Sequence, residues 1–173
     1  LNKKTIEYMN HAKKKGIPLV TITTNFVSVT NDEIRKMVDY QIDSVHISFE
    51  GLNKETYNKI RGTDSYDTVK ANIQKLLWYR KEKSSKKPWL SLTYVRTTET
   101  DEEIKTYVDE WKHLVNDIHI SPQFDYLGRA KIRKNQKGIN SEKILDRNPD
   151  NRIPCRQLWL RLVVLSNGEL VPC

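Results

Sequence analysis

Short apolar, β-branched runs alternate with helical patterns along most of this chain, and that alternation narrows the folds open to it. IPLVTITT (residues 17–24), SVHISF (44–49), WLSLTYVRT (89–97) and IHISPQF (118–124) read as strands. Helical segments separate them. Residues 2–15 form the first and end at Gly16 as a C-cap. Thr30 or Asn31 caps NDEIRKMVDYQ, with Glu33 in its first turn. LNKETYNKIRG is a short helix ending at Gly62, and a long one spans residues 66–83 with Val69, Ile73, Leu76 and Leu77 at helical spacing. Thr100-Asp101 caps a further helix through Val115.

The resulting order is β-α-β-α-β-α-β. The strands read as nearly unbroken apolar or β-branched runs, which predicts burial on both faces, and crossovers of one hand then give a parallel sheet. The expected fold is α/β, a partial barrel of parallel strands with helices outside. Chemistry in such folds gathers at the carboxyl ends of the strands. The residues found there are Thr24-Asn25-Phe26, Ser48-Phe49-Glu50-Gly51, Arg96-Thr97-Thr98 and Ser121-Pro122-Gln123. This rim of hydroxyl, amide and charged groups suits a polar small molecule and not an apolar ligand.

Composition removes several classes. The 173 residues, 37% of them hydrophobic, suffice for a sizeable core. No run approaches the roughly 20 apolar residues of a membrane span, and no secretory signal opens the chain at Leu1. Two cysteines are no disulfide framework, which favours a reducing, cytoplasmic setting. The net charge of +8 comes from lysine clusters at helix ends and in the polar stretch 131–137, where cations solvate the surface. Only Trp78, Tyr79, Arg80 and Lys81 interleave aromatics with bases, and Trp78 also falls in the apolar stripe of the long helix. Neither a membrane nor a nucleic acid is the expected partner. His46 lies mid-strand and reads as structural; Met9 and Met37 sit on apolar faces and read as core.

The end of the chain carries a second signal. Cys155 is followed by twelve residues, Gly168, four residues and Cys173. Residues 158–165 and 169–172 are expected to pair antiparallel, turning at Ser166-Asn167-Gly168. A hairpin brings its ends together, so the two thiols are expected near one another. Ordinary buried thiols, a disulfide and a zinc site are the other readings of the pair, although the paired Cys-x2-Cys knuckles of zinc sites are absent.

Thr24-Asn25 after a strand, HISFEG followed by Arg61-Gly62, Gly128-Arg129 near a strand end, and the C-x12-G-x4-C spacing with Trp159 together resemble radical S-adenosylmethionine enzymes, in particular those with a C-terminal SPASM extension that binds auxiliary iron-sulfur clusters. The resemblance covers nearly the whole chain. It implies a partial (β/α)6 TIM-like barrel followed by a β-hairpin that begins a SPASM domain. It divides the chain into barrel (1–127), linker (128–154) and SPASM start (155–173). The cofactors it implies are S-adenosylmethionine and [4Fe–4S] clusters. Ser48, Glu50, Asn25 and Arg61 then match cofactor-binding positions, with Arg61 pairing the cofactor carboxylate, and Cys155 and Cys173 match thiolate ligands of an auxiliary cluster. The activity implied is generation of a 5′-deoxyadenosyl radical that modifies a peptide, protein or small-molecule substrate, fed by an external electron donor.

Two departures stand out. Phe26 replaces the glycine of the family's Thr-Asn-Gly. The catalytic C-x3-C-x2-C segment is absent, since Cys155 and Cys173 are the only cysteines. The expectation is an internal piece of a longer protein, inactive by itself. Two other function classes stay open: a non-catalytic α/β binding domain with a basic surface, and a non-radical α/β-barrel enzyme using strand-end acids and bases.

Overall fold

The computed structural model describes residues 4–96, 102–122, 156–160, 162–165 and 167–171. The chain separates into two compact units, residues 1–132 and 133–173. In the first, the elements run α1 (Thr5–Lys14), β1 (Thr21–Thr24), α2 (Asn31–Asp39), β2 (Ser44–Ser48), α3 (Lys54–Arg61), α4 (Tyr66–Glu82), β3 (Trp89–Arg96), α5 (Ile104–Trp111) and β4 (Asp117–Pro122). The four strands form one sheet in the order β1-β2-β3-β4, every pair parallel. Sequence order and spatial order coincide because each crossover carries helix and returns one strand further along.

Local chemistry sets the helix ends. Gly16, at φ +81°, closes α1 as expected: its N–H donates to Lys13 O at 3.0 Å and the Ile17 N–H to Ala12 O at 3.1 Å. Thr30 and Glu33 form a reciprocal capping box on α2. Asn53 caps α3, and Gly62 ends it in the left-handed region. The last helix departs from expectation. It begins at Ile104, with Glu103 at the N-cap and no side-chain cap bond, and ends at Trp111. Thr100 and Asp101, the expected caps, lie outside the described residues.

The core lies on one face of the sheet. Val45, Ile47, Leu90, Leu92 and Tyr94 point into it, each fully buried, and meet Met37 of α2, Ile73 of α4 and Tyr107 of α5. The opposite face corrects the expectation that both sides are apolar: Ser44 and Ser91 are buried on it, while Thr21, Thr23, Asp117 and His119 are exposed. The register places Thr21 and Thr23 beside Ser44 and His46 of β2. It continues through Ser91 and Thr93 to Asp117 and His119 of β4. Side chains at paired positions of adjacent strands share a face. One face is therefore apolar and helix-covered, and the other is built of hydroxyls, imidazoles and a carboxylate. Trp78 is a second correction. It is 56% exposed, stacked edge-on against Tyr79 and not part of the buried stripe, because Asn72 and Leu76 face the core in its place.

In the second unit, β5 (Val163–Val164) pairs antiparallel with β6 (Leu170–Val171), and Gly168 takes φ +88° in the turn. The hairpin is shorter than expected. Gln157–Leu160 form a helical turn, α6, with the Trp159 N–H donating to Arg156 O at 3.1 Å. The return strand is two residues long, so only two residues of the outgoing segment find ladder partners. Cys155, Cys173 and the linker 128–154 lie outside the described residues.

Candidate functional site

The carboxyl end of β2 is braced by bonds from several elements. Beyond Ser48 the backbone runs through Phe49, Glu50 and Gly51 into Asn53, the cap of α3. The Phe49 N–H donates to Thr93 O at 3.1 Å, and Tyr107 Oη donates to Phe49 O at 2.7 Å. Tyr66 Oη donates to Leu52 O at 2.7 Å. Glu103, arriving from the loop after β3, accepts from the Leu52 N–H at 2.9 Å and from Thr56 Oγ1 at 2.6 Å. Gly51 has φ +89°, and a Cβ there would lie 2.6 Å from the Tyr57 nitrogen. Glycine is required for both reasons. Beneath the loop, the Phe49 ring stacks on Tyr66 at 5.4 Å and meets Trp111 edge-on at 5.5 Å. Burial pushes the Tyr107 phenol well above its usual range, so its proton stays on the oxygen and the bond to Phe49 holds.

Within this loop Glu50 is 2% exposed, and Arg61 reaches back from the last turn of α3 to pair with it. Arg61 Nε donates to Glu50 Oε2 at 2.6 Å and Nη2 to Oε1 at 2.7 Å, a bidentate fork. Burial pushes the Glu50 carboxyl up, and the Arg61 charge opposes that push. Nη1 of Arg61 makes no hydrogen bond among the described residues, and the side chain keeps 29% of its surface. A guanidinium so held can still offer its outer edge to a second anion.

Asn25 follows directly on Thr24, which pairs with Ile47, so it stands level with Ser48. Its Oδ1 accepts from the Val27 N–H at 3.3 Å, an Asx turn. Phe26 occupies φ +58° with its ring fully buried, and its carbonyl accepts from the buried Asn72 Nδ2 at 3.0 Å. Phe26 thus holds a left-handed backbone conformation that glycine adopts freely; the buried ring and the Asn72 bond hold it there. The structure thus brings Ser48, Glu50 and Arg61 together at one strand end, with Asn25 just beyond the end of the neighbouring strand β1.

Sequence reasoning missed Glu103, Tyr66 and Tyr107 as supports of this loop. Nothing local marks them, since their partners lie far away in sequence. It also missed the polar sheet face, which does have a signal: polar side chains recur at every second position of TITT, SVHIS and DIHIS, and at Ser91 and Thr93 of WLSLT. His46, read as structural, has Nε2 2.6 Å from Ser44 Oγ. Ser91 Oγ donates to Asp117 Oδ2 at 2.9 Å.

A four-stranded parallel sheet with helices and a braced polar site at its strand ends defines the class: an α/β protein. The particular family follows from comparison with family models. The radical SAM superfamily model matches residues 1–111, and the chain belongs to that superfamily. No curated protein matches the chain. Membership implies S-adenosylmethionine and a [4Fe–4S] cluster. The two groups fit these residues differently. The hydroxyl of Ser48 and the outer edge of Arg61 suit the polar and carboxylate parts of S-adenosylmethionine. A three-thiolate cluster is not matched by a chain with two cysteines, and the described residues contain no group of three His, Cys, Asp or Glu able to hold a metal. No described helix is long and apolar enough to cross a membrane.

Proposed function

We infer that this chain supplies the S-adenosylmethionine-binding strand ends of a radical enzyme of SPASM type, whose catalytic cluster ligands are contributed from outside these 173 residues. Cluster-bound S-adenosylmethionine supplies the radical chemistry; the residues here bind and orient. Arg61 takes the cofactor carboxylate on the guanidinium edge that Glu50 leaves free, Ser48 hydrogen-bonds the methionyl part or ribose, and Asn25 contacts the cofactor from β1. Cys155 and Cys173 ligate an auxiliary cluster. The substrate is a peptide, protein or small molecule, and an external donor supplies the electron. The partial (β/α)6 barrel closes with further strands.

The observation that carries this reading is the convergence of Ser48, Glu50 and Arg61 on the braced end of β2, in a chain of this superfamily. It is tested by calorimetry with S-adenosylmethionine on the anaerobically reconstituted parent protein. Arg61→Ala is expected to weaken binding by about 2 kcal/mol, and Ser48→Ala by less. Unchanged affinity in both variants removes them from the site. Iron analysis tests the thiols: the double variant Cys155→Ala/Cys173→Ala is expected to lose iron beyond that of the catalytic cluster, and equal iron and sulfide contents would remove the SPASM assignment.

A further inference from the structure

The polar face of the sheet has a charge pattern that the cofactor reading does not use. A parallel sheet is ordinarily apolar on both faces because helices cover both. Here the core cluster lies on one face, and the other presents two rows of polar side chains. Thr23, His46, Ser91 and Asp117 are in register across the four strands. Ser48, Thr93 and His119 form the next row toward the carboxyl ends.

The first row is partly fixed by internal bonds. Ser44 Oγ holds one nitrogen of His46, which leaves the other ring nitrogen for a ligand. Ser91 holds one carboxylate oxygen of Asp117 and leaves Oδ1 without a hydrogen bond among the described residues. In the second row, Ser48, Thr93 and His119 make no side-chain hydrogen bond among the described residues. Asp117 is the one formal charge in the two rows; no lysine or arginine stands in them. A phosphate or carboxylate group would meet a carboxylate with no cation in these rows, among the described residues, to offset it. An ammonium would meet a counter-ion.

We propose that this face is the substrate wall of the site and that it takes a polar substrate bearing a primary ammonium, not a phosphorylated one. The ammonium pairs with Asp117 Oδ1. Neutral donors and acceptors of the substrate engage Thr93 and the free nitrogen of His46. Asp117 and His46 lie two strands apart in one row, about 10 Å at the usual strand spacing, so the substrate spans that length. His119 and Ser48 lie between this row and the Glu50–Arg61 pair, the end at which the cofactor is placed. The proposal rests on that cofactor reading for its role as a substrate site, not for its binding chemistry.

The test uses the full chain, with histidine ring signals followed by NMR and assigned through His46→Gln and His119→Gln. Three probes are titrated: trialaninamide with its free amine, the N-acetylated form, and inorganic phosphate. The free-amine probe is expected to shift the His46 and His119 signals saturably. Its affinity is expected to fall about threefold in Asp117→Asn, the range of an exposed ion pair, and N-acetylation of the probe is expected to do the same. Thr93→Val, with an unaltered thermal midpoint, is the second variant and is expected to weaken both peptide probes. Tighter binding of phosphate than of the amine, indifference to Asp117→Asn, or no shift with any probe would overturn the proposal. S-adenosylmethionine is titrated in parallel by calorimetry on the anaerobically reconstituted parent protein. Its binding without that of the amine probe defeats the substrate class alone; the converse defeats the cofactor reading alone.

Discussion

The two ends of the same sheet each carry a carboxylate held by cations, and they are held in opposite ways. At the amino end, Asp43 accepts from Lys13 Nζ at 2.8 Å, from Lys87 Nζ at 2.5 Å and from the Val20 N–H at 2.8 Å. It ties α1, the approach to β1 and the approach to β3 to the start of β2. These bonds hold its carboxyl well below the usual carboxylate range. At the carboxyl end, Glu50 is more deeply buried and has one arginine for counter-ion, and burial pushes its carboxyl up. The amino end satisfies its charge several times over and needs nothing more, which is the pattern of a stabilising clasp. The carboxyl end balances a buried acid against one cation that still has a free edge, which is the pattern of a site. The difference matches the division of labour in parallel α/β folds, with chemistry at the carboxyl ends of the strands.

The upper end depends most on the loop that builds it. Gly51→Ala forces a Cβ into the Tyr57 backbone at a positive φ. It is expected to cost about 3 kcal/mol or more in urea unfolding and to abolish cofactor binding. Retention of wild-type stability would mean that the loop is not braced as described.

Next in size is the clasp. Asp43→Ala is expected to cost about 2 kcal/mol while leaving S-adenosylmethionine affinity unchanged. The pH dependence carries the same sign. A carboxyl depressed by folding adds stability that is full above its unfolded pKa, near 3.9, and is lost as pH falls through the folded value. The acid limb of the wild-type stability curve is therefore expected to be steeper than that of Asp43→Ala. Equal limbs would remove Asp43 as the clasp.

Arg61→Ala is expected to behave in the opposite sense. It leaves Glu50 buried without its cation, at a cost of about 1–2 kcal/mol given the half-exposed arginine. A raised carboxyl destabilises the fold as pH rises from the unfolded pKa through the folded one. The deficit of the variant is thus expected to be largest near neutrality and to shrink on acidification. Glu50→Gln/Arg61→Ala is expected to lose that pH dependence. A deficit that grows toward low pH would show that the pair is not what fixes Arg61.

The smallest expected effects lie in the supports of the upper loop. Tyr107→Phe removes a buried donor to Phe49 O, and Glu103→Gln weakens the tether to Leu52; each is expected to cost about 1 kcal/mol in thermal or urea unfolding. A neutral result in both would assign the rigidity of the loop to the aromatic packing beneath it.

The sequence determined the element order, because each helix and strand carries local punctuation: Gly16, the Thr30–Glu33 box and Gly62 act on residues within a turn of themselves. It also placed Ser48 and Glu50 at a strand end and Arg61 at a helix end, since both boundaries were legible. It did not determine which groups meet. That Arg61 turns to Glu50, that Glu103 crosses to Leu52, and that Asp43 gathers two lysines are contacts across eleven to fifty-one positions of sequence, and no local pattern encodes such distances. The polar face lay between these cases. Its period of two was written in the strands, but only the parallel register showed that four such patterns fall in phase. Pairing aligns the strands through backbone hydrogen bonds formed in the folded sheet, so a face shared by four strands is a property of the tertiary structure and of no single segment.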